Sequence, residues 1–168
     1  MKKLVSAILI ITMMFFGISA SSVHAAEGNT LKSVQELQNG SKSIQNVKIG
    51  DSLYHVEKQY GKGIHTQSAY SHEHYYEYHL HEGLLVITTE SNHRNAKVKR
   101  IAMSYNDIKG ATYKDVKSLV GRQATTREHY NDITGNHGYI QDDKVSYQFT
   151  TQNPADKVLK LYRVDIEA

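Results

Sequence analysis

The sequence contains no cysteine, no tryptophan and a single proline in 168 residues. Without cysteine the chain cannot form a disulfide, a thiolate nucleophile or a cysteine-based zinc or iron–sulfur site. The lone proline argues against a proline-rich linker or polyproline segment. Because 39% of the residues are hydrophobic and 22% are charged, the chain has enough apolar material for a packed core and is too apolar for wholesale disorder.

The N-terminus has the pattern of a secretory signal peptide. Lys2 and Lys3 give a cationic start, residues 4–17 are almost wholly apolar, and the small residues that end at Ala25 resemble a signal-peptidase site. The apolar run is short for a membrane span. We therefore predict cleavage after Ala25 or Ala26, and a secreted, extracellular protein without a membrane anchor.

Net charge excludes a strong general attraction to polyanions. Removal of residues 1–25 leaves 18 basic against 17 acidic side chains, so the formal charge falls from +3 to +1. A nearly neutral chain has no global field that attracts nucleic acid or anionic lipid. Nine of the ten histidines remain, however, so the charge depends strongly on acidity.

An internal repeat is the most informative feature of the chain. The segments IGDSLYHVEKQYGK (49–62) and KGATYKDVKSLVGR (109–122) match at an offset of 60. Ser52 and Thr112 are suited to cap the start of a helix, and Gly61 and Gly121 to end one in a left-handed conformation. The same offset pairs later apolar residues, Val98 with Val158 and Ile101 with Leu161. This pattern predicts a duplicated unit of about sixty residues without a net insertion.

After each predicted helix the hydrophobic period changes to two, which is typical of strands. In the first unit Tyr76 and Tyr78 alternate with polar residues and are predicted to face the core. Two further apolar runs separated by turns complete three strands per unit. The sequence therefore predicts an α+β fold, in which two tandem helix-strand-strand-strand repeats form an antiparallel sheet with both helices on one face. The predicted segments are a signal peptide at 1–25, a flexible arm at 26–46, a first repeat at 47–106 and a second repeat at 107–168. A weak helical spacing of Leu31, Val34 and Leu37 leaves a frayed helix as the alternative to the flexible arm.

The two helix segments and the strand pairs that end in KVKRI and KVLKL resemble those of a group of small secreted Gram-positive proteins. These are related to immunodominant staphylococcal antigen B and to the YjgB-type exported proteins. The tandem plan is also similar to that of the β-lactamase inhibitor protein. The resemblance covers about residues 47–166 and implies an extracellular, non-enzymatic binding protein. An inhibitor-like member would grip a protein partner with its exposed sheet face, and an antigen-like member would bind extracellular nucleic acid.

The residues expected on the exposed sheet face form the first candidate site. Tyrosine favours protein contacts because it offers a broad amphipathic surface with little rotamer entropy to lose. The predicted partner-binding residues are Tyr75, Glu77, His79, His81, Val86, Thr88, Ser146 and Gln148.

A histidine-rich stretch suggests a second, metal-binding hypothesis. In an extended strand, residues two apart share a face, and imidazole binds zinc and copper well. The candidate ligands are His72, His74, His79, His81 and Glu77. The alternatives are a solvent-facing strand whose polar residues are histidine, or the tyrosine and histidine docking face described above; no other cofactor is expected.

A local basic cluster suggests nucleic-acid binding as a third hypothesis. Arg94, Lys97, Lys99 and Arg100 could contact the phosphates of extracellular DNA or RNA, with affinity that rises as histidines gain protons. The alternative is an edge strand whose charges discourage sheet-to-sheet aggregation.

Enzyme signatures are incomplete. His72-Glu73 and His81-Glu82 each begin the H-E-x-x-H pattern of zinc proteases, but Tyr76 and Leu85 stand where the second histidine is required. The chain also lacks G-x-S-x-G, G-x-x-x-x-G-K-[ST] and G-x-G-x-x-G. We therefore expect a protein that is not an enzyme.

Overall fold

A computed structural model describes residues 28–168 of the chain. The expected signal peptide and its cleavage site lie outside the described residues. Within this range no helix has the length and hydropathy to cross a membrane. The elements are α1 (Leu31–Gln38), β1 (Ser43–Ile44), β2 (Val47–Lys48), α2 (Leu53–Tyr60), β3 (Ile64–Gln67), β4 (His74–His79), β5 (Gly83–Thr89), β6 (Val98–Tyr105), α3 (Tyr113–Leu119), β7 (Thr125–His129), β8 (His137–Asp142), β9 (Val145–Thr150) and β10 (Lys160–Glu167).

The strands described form two antiparallel sheets. β1 and β2 make a small hairpin, and the other eight form one sheet in the order β3-β4-β5-β6-β10-β9-β8-β7. One half of this sheet is built from β3 to β6 and the other from β7 to β10, and the halves join where β6 pairs with β10. The predicted α+β class with an antiparallel sheet is confirmed.

Each half of the large sheet has four strands, whereas the sequence pattern predicts three. The additional strands are β3 and β7, which form the two edges of the sheet. Every residue of β3 is exposed, and so is nearly every residue of β7. Because neither edge strand buries alternate residues, the period-two pattern that marks the other strands is missing. The prediction of three strands per half is wrong for this reason.

Helices α2 and α3 begin at the predicted capping residues. The Ser52 and Thr112 hydroxyls each accept a hydrogen bond from the backbone N–H three residues later, at 3.2 and 3.1 Å. Gly61 ends α2 with a φ of +79°, where glycine is favoured. The corresponding prediction for Gly121 is wrong, because α3 is followed by an extended Val120 and the Gly121 N–H donates to Asp142 at 2.9 Å.

Matching backbone hydrogen bonds tie α2 and α3 to the last strand of each half. The first half has Leu53 N to Ala96 O (2.8 Å) and Val98 N to Asp51 O (2.9 Å), and the second half has Tyr113 N to Leu159 O (3.0 Å) and Leu161 N to Ala111 O (2.9 Å). The helix starts therefore correspond at the predicted offset of 60. The last strands correspond at an offset of 63, because Val98 and Leu161 make the equivalent hydrogen bonds. The second half is therefore three residues longer between its helix and its last strand, and the expectation of no net insertion is wrong.

Three helices and the β1–β2 hairpin share one core on a single face of the large sheet. Tyr76 and Tyr78 are buried in it, as predicted. The segment expected to be a flexible arm also belongs to this core, since Val34 of α1 and Ile44 of β1 are fully buried. The arm prediction is therefore wrong from α1 onward.

Candidate functional site

The opposite side of the large sheet has no helix of the described chain packed into a core against it, and we call it the open face. Its members alternate with the core residues along each strand, although two of them, Thr88 and Ala102, are themselves buried, with 3% and 4% of their surface exposed. Register places them side by side across the sheet. They include Ile64, Thr66, Tyr75, Glu77, His79, Leu84, Val86, Thr88, Arg100, Ala102, Ser104, Arg163, Asp165, Glu167, Ser146, Gln148, His137, Tyr139, Gln141, Thr125, Arg127 and His129.

The structure brings together all but one of the residues predicted to bind a partner. Tyr75, Glu77 and His79 of β4 are cross-strand partners of Thr88, Val86 and Leu84 of β5. The row through Glu77 and Val86 continues across Ala102 and Asp165 to Ser146, and Gln148 lies in the next row. His81 is the exception, since β4 ends at His79 and His81 lies in the following turn.

Two similar rows of residues stand in corresponding halves of the open face. Each row has a tyrosine on the strand next to the edge, a polar residue on the next strand, and an arginine on the strand at the junction of the halves. We call these rows the Tyr–Arg rows; they are Tyr75, Thr88 and Arg100 in the first half, and Tyr139, Gln148 and Arg163 in the second.

Arg163 lies at the centre of the open face and is held by Asp165. Its Nε and one terminal nitrogen donate to the two Asp165 carboxylate oxygens at 2.9 and 2.6 Å. These hydrogen bonds raise the pKa of the Arg163 guanidinium above its ordinary value. The bidentate geometry fixes the arginine fork in the plane of the carboxylate. Both charges at the centre of the face are therefore mutually neutralised and still partly exposed.

Arg100 is surrounded by carboxylates in the same way. Its Nε donates to Glu167 at 2.9 Å, and a terminal nitrogen lies 3.8 Å from Glu73. The Tyr75 hydroxyl donates to Glu73 at 2.6 Å, and this hydrogen bond, assisted by the charge of Arg100, holds the pKa of Glu73 below its usual range. Tyr75, Glu73 and Arg100 thus form one connected polar group at the rim of the face.

The five predicted metal ligands are not brought together. Glu77 and His79 lie on the open face, but His74 of the same strand points to the core side, is 8% exposed, and shares a 2.9 Å hydrogen bond between imidazole nitrogens with His65. His72 precedes β4 and His81 follows it. Among residues 28–168 no three histidine, aspartate or glutamate side chains are arranged to hold a metal ion. The predicted ligand set is wrong because it mixes both faces of the strand.

The four cations of the predicted nucleic-acid site do not form one free stripe. The Arg94 guanidinium stacks 3.6 Å above the Tyr54 ring on the helix side. Lys99 pairs with Glu90 at 3.0 Å, and Arg100 pairs with the acids described above. Lys97 is exposed and precedes β6. Two of the four charges are therefore already matched by carboxylates of the chain.

Comparison with known proteins gives a family. A model of the SA0570-like family matches residues 1–167, which is nearly the whole chain. The chain belongs to the SA0570-like family. No curated protein and no solved structure matches it. The family match comes without a described function, so the function of the open face is argued from its own residues.

Sequence reasoning missed the residues at the centre and far end of the open face, namely Tyr139, Arg163, Asp165 and Arg127. The alternation in HGYIQ does place Tyr139 on the face of its strand away from its buried neighbours. The alternation in KLYRVDI likewise places Arg163 and Asp165 on one face, and Val164 and Ile166 on the other. Arg127 carries no such signal, because its strand is an exposed edge. This alternation could have identified all except Arg127.

Proposed function

We propose that this chain is a secreted, non-enzymatic binding protein that docks a folded protein partner on its open face. The observation that carries the proposal is the pair of Tyr–Arg rows on a sheet face against which no helix of residues 28–168 packs. Tyrosine and arginine are enriched among the few residues that dominate binding energy at protein interfaces. In both rows they stand on strands that are paired on both sides within the sheet, so little entropy is lost when a partner orders them.

The dimensions of the open face support a protein partner. Eight strands are separated by seven spacings of about 4.8 Å and so span about 34 Å, and three rows of side chains give an area on the order of 700 Å². This is close to the roughly 800 Å² that each partner contributes to a standard protein interface. The partly exposed apolar side chains of Leu84 and Val86 lie between the charged groups, which is the mixture expected of a non-obligate interface.

Charge favours a protein over nucleic acid as the partner. The arginines of both Tyr–Arg rows are paired with carboxylates, so the face offers acceptors as well as donors. A nucleic-acid surface needs several unpaired cations along a phosphate backbone. We therefore expect binding that is stoichiometric and only moderately sensitive to salt. Nucleic-acid binding through Arg94, Lys97, Lys99 and Arg100 remains the weaker candidate.

The matching hydrogen bonds of the two halves support the proposal that one ancestral unit was duplicated. Four bonds in two equivalent sets tie the helix of each half to its last strand. Duplication would explain why a Tyr–Arg row occurs in both halves. The resemblance to the plan of the β-lactamase inhibitor protein, and to secreted antigen B-type proteins, supports an inhibitor-like role outside the cell.

Capture with matched variants tests the docking proposal. Purified protein is immobilised and exposed to the producer's culture medium and to host fluid, in parallel with two double variants. Tyr75→Ala with Arg100→Ala truncates a Tyr–Arg row, whereas Tyr54→Ala with Arg94→Ala removes the stacked pair on the helix side. Circular dichroism and thermal unfolding verify that each variant folds.

We expect a protein that the unaltered chain and the helix-side variant retain at one-to-one stoichiometry. The open-face variant should bind it about thirtyfold more weakly, because hot-spot truncations cost about 2 kcal/mol or more. Equal retention by all three proteins would contradict the proposal. If retention is lost in the helix-side variant instead, the interface lies on the helix side of the sheet and the proposal is contradicted.

A further inference from the structure

A groove at the second-half end of the open face contains an arginine that forms no ion pair with any acidic side chain of residues 28–168. It has a volume of about 760 Å³ and runs from the edge strand β7 across β8 and β9 to β10. We call it the β7 groove. Its polar and charged lining includes Arg127, Glu128, His129, His137, Tyr139, Gln148 and Tyr162.

Arg127 differs from the other arginines of the open face because it has no acidic partner. Within residues 28–168 it forms no ion pair, whereas Arg100 and Arg163 are both paired. His129 and His137 are cross-strand neighbours one step further along the same strands, and both are exposed. The three nitrogen-bearing side chains are therefore adjacent on the outermost two strands.

The carboxylate nearest in sequence belongs to Glu128, whose side chain is engaged elsewhere. One of its oxygens lies 3.8 Å from the Lys117 ammonium group of α3, and the other accepts a hydrogen bond from the Tyr130 hydroxyl at 3.0 Å. Alternation along β7 turns it toward the helix side, away from Arg127. The groove therefore keeps its positive character.

The remaining polar groups of the groove add donors. The Tyr162 hydroxyl donates to the Gln148 side-chain oxygen at 3.0 Å, which orients the amide and leaves its two N–H donors to serve a ligand. The Tyr139 hydroxyl donates to Gln141 at 2.8 Å. A guanidinium, an amide nitrogen and two imidazoles converge in one groove, and the acceptors of Gln148 and Gln141 are already used.

We propose that the β7 groove binds an acidic segment of the protein partner, a few residues long, through its carboxylates. This proposal rests on the proposed function, and it names the chemistry of the segment that enters one end of the open face. Arginine and amide donors match carboxylate oxygens, and a charge-assisted hydrogen bond is about twice as strong as a neutral one. A nucleic acid fits less well, because Arg127 is the one permanent cation of the groove and the arginines beside it are paired.

A peptide titration followed by NMR tests the groove. Hexaglutamate is added to the unaltered protein, to Arg127→Gln and to the control Lys114→Gln, which removes the same charge from an exposed position on α3. Hexaglutamine is the neutral control peptide, and a thymidine hexanucleotide is the polyanion control. A His129→Gln and His137→Gln double variant provides a second test at exposed positions.

We expect saturable shifts at His129, His137 and Tyr139 with hexaglutamate and none with hexaglutamine. Arg127→Gln should weaken binding about tenfold and Lys114→Gln should not. The histidine double variant should bind hexaglutamate more weakly than the unaltered protein, because it lacks both imidazole groups of the groove. Equal affinity in Arg127→Gln and Lys114→Gln would overturn the proposal, as would tighter binding of the hexanucleotide at the groove.

The two proposals fail separately. The docking proposal is tested with Tyr75 and Arg100 in the first half of the sheet, whereas the groove lies in the second half. If a partner binds the open face but hexaglutamate does not bind the groove, the groove proposal alone is overturned.

Discussion

At the scale of single residues, the two halves of the molecule solve the packing between helix and sheet differently. The first residue of α2 is Leu53, and the matching position of α3 is Tyr113. The larger Tyr113 ring is accommodated because Gly138 lies under it on β8, and Phe149 meets its edge at 84° with ring centroids 5.2 Å apart. A glycine inside a strand here permits a close approach.

Replacing Gly138 with alanine should destabilise the fold. A Cβ at this position would lie 2.9 Å from Tyr113 Cδ2 and 3.1 Å from Leu159 Cδ1. Overpacking of this kind costs about 1–3 kcal/mol, measured as the free energy of unfolding in urea. Gly121→Ala is the control, because its nearest neighbour, an Asp142 oxygen, would be 3.5 Å away. Tyr113→Leu should rescue Gly138→Ala; a cost equal to that of the control would contradict this account.

Buried tyrosines should make the fold sensitive to alkali. Burial raises the pKa of Tyr78 and of Tyr147 to about 12, and it raises the pKa of Tyr105 still further above its ordinary value. The folded state therefore favours neutral phenols, so their contribution is complete below pH 10 and is lost as the pH rises toward 12. The unfolding free energy should therefore fall as the pH rises from about 10 to about 12. The unfolding free energy of Tyr105→Phe should fall less steeply with pH than that of the unaltered protein. An identical slope would contradict the assignment of this effect to buried tyrosines.

At the scale of elements, α1 is a structural part of the core. Thr30 caps its start by accepting a hydrogen bond from the Ser33 N–H at 3.2 Å, and its buried side includes Val34 and Leu37. The spacing of Leu31, Val34 and Leu37 in the sequence is compatible with this helix. The surrounding residues are polar, so the segment by itself looks exposed. Its burial depends on other elements that cover its apolar side, and these cannot be identified from the segment alone.

Truncation of α1 should therefore destabilise the whole molecule. Leu37→Ala should cost about 2–5 kcal/mol of unfolding free energy, as is typical of a buried leucine. Gln35→Ala on the exposed side of the same helix should change it by less than about 0.5 kcal/mol. Urea unfolding measures both variants. A small cost for Leu37→Ala, together with unprotected α1 amides in hydrogen exchange, would restore the flexible-arm view.

Elements that carry a strong local signal could be predicted from the sequence, and the edges of the sheet could not. Ser52 and Thr112 mark the helix starts because capping is a contact within four residues. Tyr76 and Tyr78 mark a strand because they alternate with polar neighbours. The β3 and β7 segments are exposed on both faces, so only their pairing with β4 and β8 makes them strands.

At the scale of the whole molecule, the candidate site depends on the junction between the halves. Alternation within β4, β5 and β9 is enough to predict Tyr75, Val86 and Ser146 as members of one face. The pairing of β6 with β10 is a long-range contact that local sequence does not encode, and it places Arg163 beside Ser104 and Asp165 beside Ala102. The centre of the site was therefore missed while its flanks were found. The predicted set of metal ligands was wrong for a different reason. Its residues are close in sequence, but His74 lies on the core side of β4 whereas Glu77 and His79 lie on the open face.

Site-specific photo-cross-linking tests the docking of a partner on the open face most directly. A benzophenone amino acid is placed at Val86, in the middle of the open face, and in a second protein at Lys114 on the helix side. Both proteins are irradiated in the producer's culture medium and in host fluid. We predict one discrete protein adduct from position 86 and none from position 114. An adduct from position 114 alone, or no adduct from position 86 in either fluid, would contradict the proposal that the open face binds a protein.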